Sequence, residues 1–146
     1  MKCCCHPDLD ALTGRLRRRD FKLTHPRRAV LAALQRQHRP LTIKEIFAAL
    51  CPGACDLASV YRSIRALESA GVVKAFEFGD GVRRYELLAE GDDGHHHHLV
   101  CTRCAEVVEL SECSMEDLEQ RIAQSNGYQA VTHKLEFFGV CPECQK

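Results

Sequence analysis

The chain has 146 residues, of which 45% are hydrophobic, and its formal net charge is zero. This composition is ordinary for a globular protein. No apolar run approaches the roughly 18–20 residues of a membrane-spanning helix, and the first ten residues, MKCCCHPDLD, lack the apolar segment of a secretory signal, so we expect a cytoplasmic protein.

The first elements predicted along the chain are helices. Residues 1–20 predict a disordered tail or a short helix around residues 8–19. Thr24 is placed to cap the next helix, in which Val30, Leu31 and Leu34 have helical spacing to about residue 37. After Pro40, a second helix begins at the cap residue Thr42, and its apolar face comprises Ile43, Ile46, Phe47 and Leu50.

A third helix opens at Asp56 and ends at Gly71. Val60, Ile64 and Leu67 form its apolar face. The opposite face carries Arg62, Arg65 and Ser69, with Ser59 and Tyr61 at its margin. Residues 72–78 and 82–88, joined by Gly79-Asp80-Gly81, then predict a β-hairpin. Three helices followed by a hairpin indicate a winged helix-turn-helix over residues 1–88, whose third helix enters the DNA major groove.

The second half predicts a smaller α/β domain. Residues 89–94 (AEGDDG) are typical of a hinge, and residues 95–110 of one or two strands. A helix over residues 114–126, capped by Ser114 with Asp117 at the capping-box position, precedes a final strand over residues 128–140. Such a block buries little surface alone, so we expect residues 95–146 to dimerise. The predicted fold class is therefore α+β.

Charge is divided unevenly between the two halves. Residues 1–88 contain 16 Lys and Arg against 9 Asp and Glu, whereas residues 89–146 contain 4 against 11. A basic half suits a polyanion such as nucleic acid, and an acidic half suits cations, although ordinary solvated surfaces also show such divisions.

Two Cys-x-x-Cys pairs carry the most specific pattern in the chain. They are Cys101–Cys104 and Cys141–Cys144, among ten cysteines in total. Four thiolates complete a closed tetrahedral site for Zn²⁺, which leaves no open position for a substrate and is therefore structural. Alternatively, each Cys-x-x-Cys pair is redox-active, or the four thiols have no function.

Four consecutive histidines precede the first cysteine pair. On a strand, His95 and His97 point to one face and His96 and His98 to the other, with about 6–7 Å between alternate residues. Each pair needs further ligands, and the candidates on neighbouring elements are Glu86, Glu109, Glu116 and His133. The alternative is a solvated polar loop.

Basic residues mark the nucleic-acid candidate surface: Lys22, Arg27, Arg28, Arg62 and Arg65. Arginine pairs with phosphates or guanine edges, and Tyr61 is placed to touch a thymine methyl or a phosphate. An ordinary charged helix surface is the alternative.

The remaining cysteines do not form a metal-binding spacing like that of the two Cys-x-x-Cys pairs. We interpret Cys51, Cys55 and Cys113 as buried or unused thiols. Cys3, Cys4 and Cys5 with His6 are typical of a tail that binds metal, reacts with oxidants or is disordered.

Four segments together resemble the ferric uptake regulator (Fur) family of bacterial metalloregulators: LTHPRRAVLAAL, ASVYRSIRALESAGVV, HHHHLVCTRC and HKLEFFGVCPEC. The resemblance covers about residues 21–146. It implies an N-terminal winged helix, a hinge and a C-terminal α/β dimerisation domain. It also implies a homodimeric repressor that binds near-palindromic double-stranded DNA and responds to Fe(II), Zn(II) or Mn(II).

The resemblance assigns roles to individual positions. The structural zinc ligands match Cys101, Cys104, Cys141 and Cys144. A regulatory metal site matches Glu86, His96, His98 and, in some members, Glu109. A second metal site matches His95, His97, Glu116 and His133, and the DNA contacts match Lys22, Tyr61 and Arg62. Many members supply one more histidine where this chain has Pro40, and His38 is the candidate substitute.

Three other functions are weaker alternatives. A zinc hydrolase or deaminase lacks support, since neither an H-E-x-x-H motif nor an H-x-E motif with a downstream P-C-x-x-C is present. A thiol redox protein would use a Cys-x-x-Cys pair. A peroxide sensor would keep the fold and oxidise a histidine that binds Fe(II).

Overall fold

The computed structural model describes residues 10–17, 21–37, 39–88, 96–110 and 113–146. The chain divides into two compact units, residues 1–94 and residues 95–146. Among the described residues, no helix combines the length and the apolar character needed to cross a membrane.

In its described residues, the first unit combines four helices with a small antiparallel sheet. The helices are α1 (Asp10–Arg17), α2 (His25–Gln37), α3 (Ile43–Ala48) and α4 (Leu57–Ser69). The strands are β1 (Leu41–Thr42), β2 (Val73–Glu77) and β3 (Arg83–Leu87), in the spatial order β1-β3-β2. The three helices and the hairpin predicted from the sequence are present, and β1 is an addition, because two residues carry too little pattern to reveal a strand.

One apolar core holds this unit together. It contains the predicted apolar faces of α2 and α4, namely Val30, Leu31, Leu34, Val60, Ile64 and Leu67. Burying one such side chain contributes roughly 1.5–3 kcal/mol. The core therefore fixes α4 in place and leaves its opposite face in solvent.

The predicted caps set where α3 and α4 begin. Thr42 Oγ1 accepts a hydrogen bond from the Glu45 N–H at 3.2 Å, and Glu45 Oε2 accepts one from the Thr42 N–H at 2.8 Å. Burial alone would raise the pKa of Glu45, but the hydrogen bonds from Thr42 and Arg39 lower it below the ordinary value. Asp56 caps α4 by accepting from the Ser59 N–H at 2.8 Å.

The part of the second unit that the structure describes contains a three-stranded sheet and one α-helix. Its elements are β4 (His97–Cys101), β5 (Val107–Leu110), α5 (Glu116–Asn126), β6 (Glu136–Gly139) and a short 3₁₀ helix (Pro142–Gln145). The strand order is β5-β4-β6, in which β4 pairs with β5 antiparallel and with β6 in parallel.

Two sequence-based expectations for this unit are wrong. The final strand covers only Glu136–Gly139 rather than residues 128–140, because its partner β4 has five residues and the parallel pairing begins at His98 and Glu136. Ser114 does not cap α5; Met115 takes the N-cap position without a side-chain hydrogen bond. Gly127 ends α5 as predicted, with a left-handed φ of 71°.

Candidate metal centres and nucleic-acid interface

Parallel pairing brings the two cysteine pairs to one edge of the second unit's sheet. Cys101 is the last residue of β4 and lies opposite Gly139, the last residue of β6. The Thr102 N–H donates to the Gly139 carbonyl at 2.8 Å and continues this pairing. Because both pairs follow the carboxyl ends of neighbouring parallel strands, they meet although 37 residues separate Cys104 from Cys141.

The four cysteine sulfurs form one compact cluster. All four Sγ atoms lie within 4.8 Å of one another, and Cys104 Sγ lies 3.7 Å from Cys141 Sγ. Cys101 is buried, whereas Cys104 is exposed. Ala105 closes the first pair in a left-handed conformation with φ 60°, and its N–H donates to the Cys101 carbonyl at 2.9 Å. The cluster can hold one metal ion through four sulfur ligands.

Backbone hydrogen bonds favour a thiolate within this cluster. The N–H groups of Cys104, Cys141 and Arg103 donate to Cys101 and lower the pKa of its thiol to about 6. The pKa of Cys144 rises to about 12, because its thiol is hydrogen-bonded to the sulfurs of Cys141 and Cys104 beside that thiolate. A divalent cation would neutralise the repulsion that keeps the Cys141 and Cys144 thiols protonated, and its binding would release protons.

The histidines at the start of β4 and immediately before it alternate between two faces, as predicted. The rings of His96 and His98 lie on one face, with centroids 5.0 Å apart and an edge-to-face arrangement. His98 is only 1% exposed and lies opposite Glu109 of β5 in the sheet register. Opposite residues of neighbouring strands share a face, so Glu109 belongs to the same side as His98. Glu86 lies on β3 of the first unit, opposite Lys74.

His97 takes part in a different cluster on the other face. The ligand atoms of His97, His133 and Cys113 lie within 4.8 Å of one another. His97 Nε2 lies 3.1 Å from His133 Nε2, which is in turn 3.4 Å from Cys113 Sγ. Glu119 of α5 accepts a hydrogen bond from His133 Nδ1 at 2.7 Å.

This cluster joins only two of the four residues predicted for a second metal site. It brings together His97 and His133, whereas the exposed Glu116 is outside the group and His95 lies outside the described residues. Sequence reasoning missed Cys113 and Glu119. Glu119 follows Glu116 by three residues on the same helix face, which is a usable signal. Cys113 belongs to no local motif, and only the folded chain places it beside His133.

The face of α4 opposite the core is accessible. Tyr61 is 51% exposed, and the side chain of Arg62 is 71% exposed. The Arg62 guanidinium donates to Ser59 Oγ at 2.8 Å, and Arg65 is also exposed. These side chains project from the helix face opposite the core, where a nucleic acid can reach them.

A second basic segment precedes α2. The guanidinium of Arg27 lies 4.6 Å from the centre of the Phe21 ring and donates a hydrogen bond to the Lys22 carbonyl. Arg27 therefore orders the backbone around Lys22, whose own side chain is exposed. The arrangement presents the Lys22 ammonium while Arg27 is held against the protein.

The other cysteines differ among themselves. Cys51 is disulfide-bonded, which corrects its interpretation as an idle thiol. Cys55 retains its thiol, and burial together with the neighbouring Asp56 carboxylate raises its pKa. The predictions made for Cys3, Cys4, Cys5, His6, His38 and the hinge at residues 89–94 lie outside the described residues.

Comparison with known proteins gives consistent matches over both units. The sequence profile described as Ferric uptake regulator family matches residues 18–138. The ferric uptake regulation protein of Bacillus subtilis is 34% identical over 139 residues, which cover 93% of each chain. The peroxide-responsive repressor PerR of Staphylococcus aureus is 27% identical over 140 residues, covering 94% of this chain and 92% of that protein.

A solved structure gives the same result at the level of the fold. The ferric uptake regulator from Francisella tularensis, determined with iron, has a TM-score of 0.73 and 27% identity, and the match covers 86% of this chain and 96% of that one. With the family profile spanning both compact units and a relative 34% identical over 93% of the chain, the protein belongs to the ferric uptake regulator family.

Proposed function

We propose that this chain is a metal-dependent transcriptional repressor that binds near-palindromic double-stranded operator DNA as a homodimer. One observation carries the proposal. The same chain presents exposed arginines on α4, which is the third helix of the predicted winged helix-turn-helix, and gathers thiols and imidazoles into clusters that can hold metal ions. Family membership supports the pairing of these two activities.

The DNA contacts proposed for the first unit follow from exposure. Tyr61, Arg62 and Arg65 would enter the major groove, where arginine pairs with guanine edges or phosphates. Ser59 orients Arg62 through its hydroxyl. Lys22 would reach toward the minor groove or a phosphate, with Arg27 ordering its backbone.

The four-cysteine cluster is proposed as a structural Zn²⁺ site. Sulfur ligands in a closed tetrahedron are typical of structural zinc. The ion would tie Cys141 and Cys144 to the end of β4, and it would stabilise the parallel pairing of β4 with β6. The predicted second metal site comprises His95, His97, Glu116 and His133.

A regulatory ion is proposed at Glu86, His96, His98 and Glu109. The shared face of His96, His98 and Glu109 supports three of these ligands. A divalent ion that these residues and Glu86 bind together would couple the DNA-binding unit to the dimerisation unit. Only the metal-loaded dimer would then present both recognition helices at the operator spacing without a further ordering cost. Where many family members supply a further histidine ligand, this chain has Pro40, and His38 is the candidate to replace that ligand.

Homodimerisation is supported by an apolar row across the sheet of the second unit. Val108, Leu99 and Phe137 are direct neighbours in the register of β5, β4 and β6. Their exposures are 50%, 38% and 43%, respectively. A contiguous apolar surface of this kind is typical of a protein interface.

Operator binding in the presence and absence of metal tests the proposal. We expect chelated protein to bind operator DNA weakly and protein loaded with Zn(II), Mn(II) or Fe(II) to bind it tightly. Glu86→Gln should lose most of this activation, whereas Glu77→Gln, which removes an exposed carboxylate from the same hairpin, should retain it. Equal operator affinity in chelated and metal-loaded protein would overturn the proposal.

A peroxide-sensing variant of the same function is the second candidate, because PerR of Staphylococcus aureus matches over nearly the whole chain. In that case bound Fe(II) would react with peroxide and add oxygen to His96 or His98. Mass spectrometry of peptides from Fe(II)-loaded protein after peroxide treatment distinguishes the two, since unmodified His96 and His98 would exclude the sensor.

A further inference from the structure

In the cluster of His97, His133 and Cys113, the hydrogen bonds direct lone pairs of the two imidazoles toward each other, which favours a cation between them. The carbonyl of Leu135 lies 3.2 Å from His97 Nδ1, and a carbonyl only accepts, so this nitrogen carries a proton. The Glu119 carboxylate lies 2.7 Å from His133 Nδ1 and likewise accepts from it. In each neutral imidazole, Nε2 is therefore the unprotonated nitrogen, and it carries the lone pair that can bind a metal ion.

These two lone-pair atoms face each other at short range. His97 Nε2 and His133 Nε2 are 3.1 Å apart, and His97 is 5% exposed. Two acceptors at that distance repel unless a cation lies between them. Cys113 Sγ, 3.4 Å from the same His133 nitrogen, adds a group that becomes anionic when it loses its proton.

We propose that Cys113 is a thiolate ligand of a Zn(II) site completed by His97 Nε2 and His133 Nε2. Binding breaks the S–H bond, forms a zinc–sulfur bond and releases the proton to solvent. Glu119 and the Leu135 carbonyl are positioning groups, because they hold the imidazoles in the tautomers that direct Nε2 toward the ion. This inference refines the second metal site named under the proposed function. It rests on the proposed function only in assuming that this cluster binds a metal ion.

The thiolate determines which metals this site prefers. Thiolate and imidazole suit Zn(II), whereas Mn(II) gains more from carboxylate and water oxygens. A site composed of His97, His133 and Glu116 alone would lack this preference. With three side-chain ligands, a fourth position of the tetrahedron remains, for which Glu116 is the predicted residue.

Cobalt spectroscopy of the full-length protein tests the assignment. Protein whose four-cysteine site already holds zinc is titrated with Co(II), and the near-ultraviolet sulfur-to-cobalt charge-transfer band is recorded. We expect the band in the wild type and in the control Cys55→Ser, and its loss in Cys113→Ser. Zinc affinity, measured against a chromophoric chelator, should fall by more than about tenfold in Cys113→Ser.

A second variant separates a lost ligand from a damaged fold. Cys113→Asp replaces the sulfur with a carboxylate, and we expect its Mn(II) affinity to rise relative to its Zn(II) affinity, a gain that misfolding does not produce. An unchanged cobalt band and zinc affinity in Cys113→Ser would overturn the inference. Operator binding is measured on the same samples. If operator binding depends on metal and Cys113→Ser keeps the cobalt band, only the thiolate ligand is rejected. If operator binding does not depend on metal and Cys113→Ser loses the band, only the proposed regulatory function is rejected.

Discussion

Cys101 is surrounded by three backbone N–H donors, which lower the pKa of its thiol to about 6 from an ordinary value of 9.0. These donors belong to Cys104, Cys141 and Arg103, so the thiolate is stabilised by the same turns that place the other sulfurs. The folded, metal-free second unit therefore binds this proton more weakly than the unfolded chain does. Such a difference makes stability depend on pH.

We expect the metal-free protein to lose stability as pH falls from about 9 to about 6. A depressed pKa stabilises the folded state fully above the unfolded value of 9.0, and this contribution is lost as pH falls through the folded value of about 6. The raised pKa of Cys144, about 12, acts above pH 9 and leaves this window unaffected. Denaturant midpoints of chelated protein measure the effect, and Cys101→Ser is the control that should show a flatter profile.

Single residues differ in how far the sequence reveals their role. The spacing of Cys101, Cys104, Cys141 and Cys144 is a local pattern that predicted their convergence, and the sulfurs do lie together. The alternation of His96, His97 and His98 follows from strand geometry alone. Cys113 has no such pattern, because its proximity to His133 depends on the path between β5 and β6.

Helix caps are decisive at the scale of single elements. The reciprocal hydrogen bonds between Thr42 and Glu45 satisfy donors that α3 would otherwise leave unpaired. α3 has only six residues, so its own backbone hydrogen bonding stabilises it little. Its position beneath α4 therefore depends on the cap and on buried Ile43 and Ile46.

Thr42→Ala should lower the free energy of unfolding of the first unit by about 1 kcal/mol, because the Glu45 N–H loses its side-chain acceptor. Urea unfolding measures the change. Ser69→Ala removes an exposed hydroxyl from the end of α4 and should change stability by less than about 0.5 kcal/mol. Equal stability of the Thr42→Ala variant and the wild type would show that α3 needs no cap.

The elements of the first unit were more predictable than those of the second. Helical periodicity, Thr42, Asp56 and Gly71 specified α3 and α4 because these signals act within a few residues. The length of β6 instead depends on β4, a partner more than thirty residues earlier in the chain. α5 begins at Glu116 with Met115 at the N-cap position in place of the predicted Ser114, and no side-chain hydrogen bond caps the helix.

At the scale of the whole molecule, the exposed row of Val108, Leu99 and Phe137 gives the proposed dimer a testable interface. We expect Phe137→Asp to weaken dimerisation by roughly 2 kcal/mol or more, about 30-fold, because a charge replaces an aromatic side chain that the proposed interface would bury. Analytical ultracentrifugation measures the dissociation constant. Val82→Asp, at an apolar residue that is 40% exposed in the first unit, is the matched control. A Phe137→Asp protein that remains dimeric would place the interface elsewhere.

Parallel pairing of β4 with β6 also imposes an order of events during synthesis. The amide of Cys141 donates to Cys101 Sγ at 3.3 Å across a separation of 40 residues. The first two sulfurs leave the ribosome before the last two, because the chain is made from its N-terminus. If the four-cysteine cluster holds zinc as proposed, a chain made without zinc would leave Cys101 and Cys104 unconnected to Cys141 and Cys144, and metal supply would then set how much folded protein accumulates.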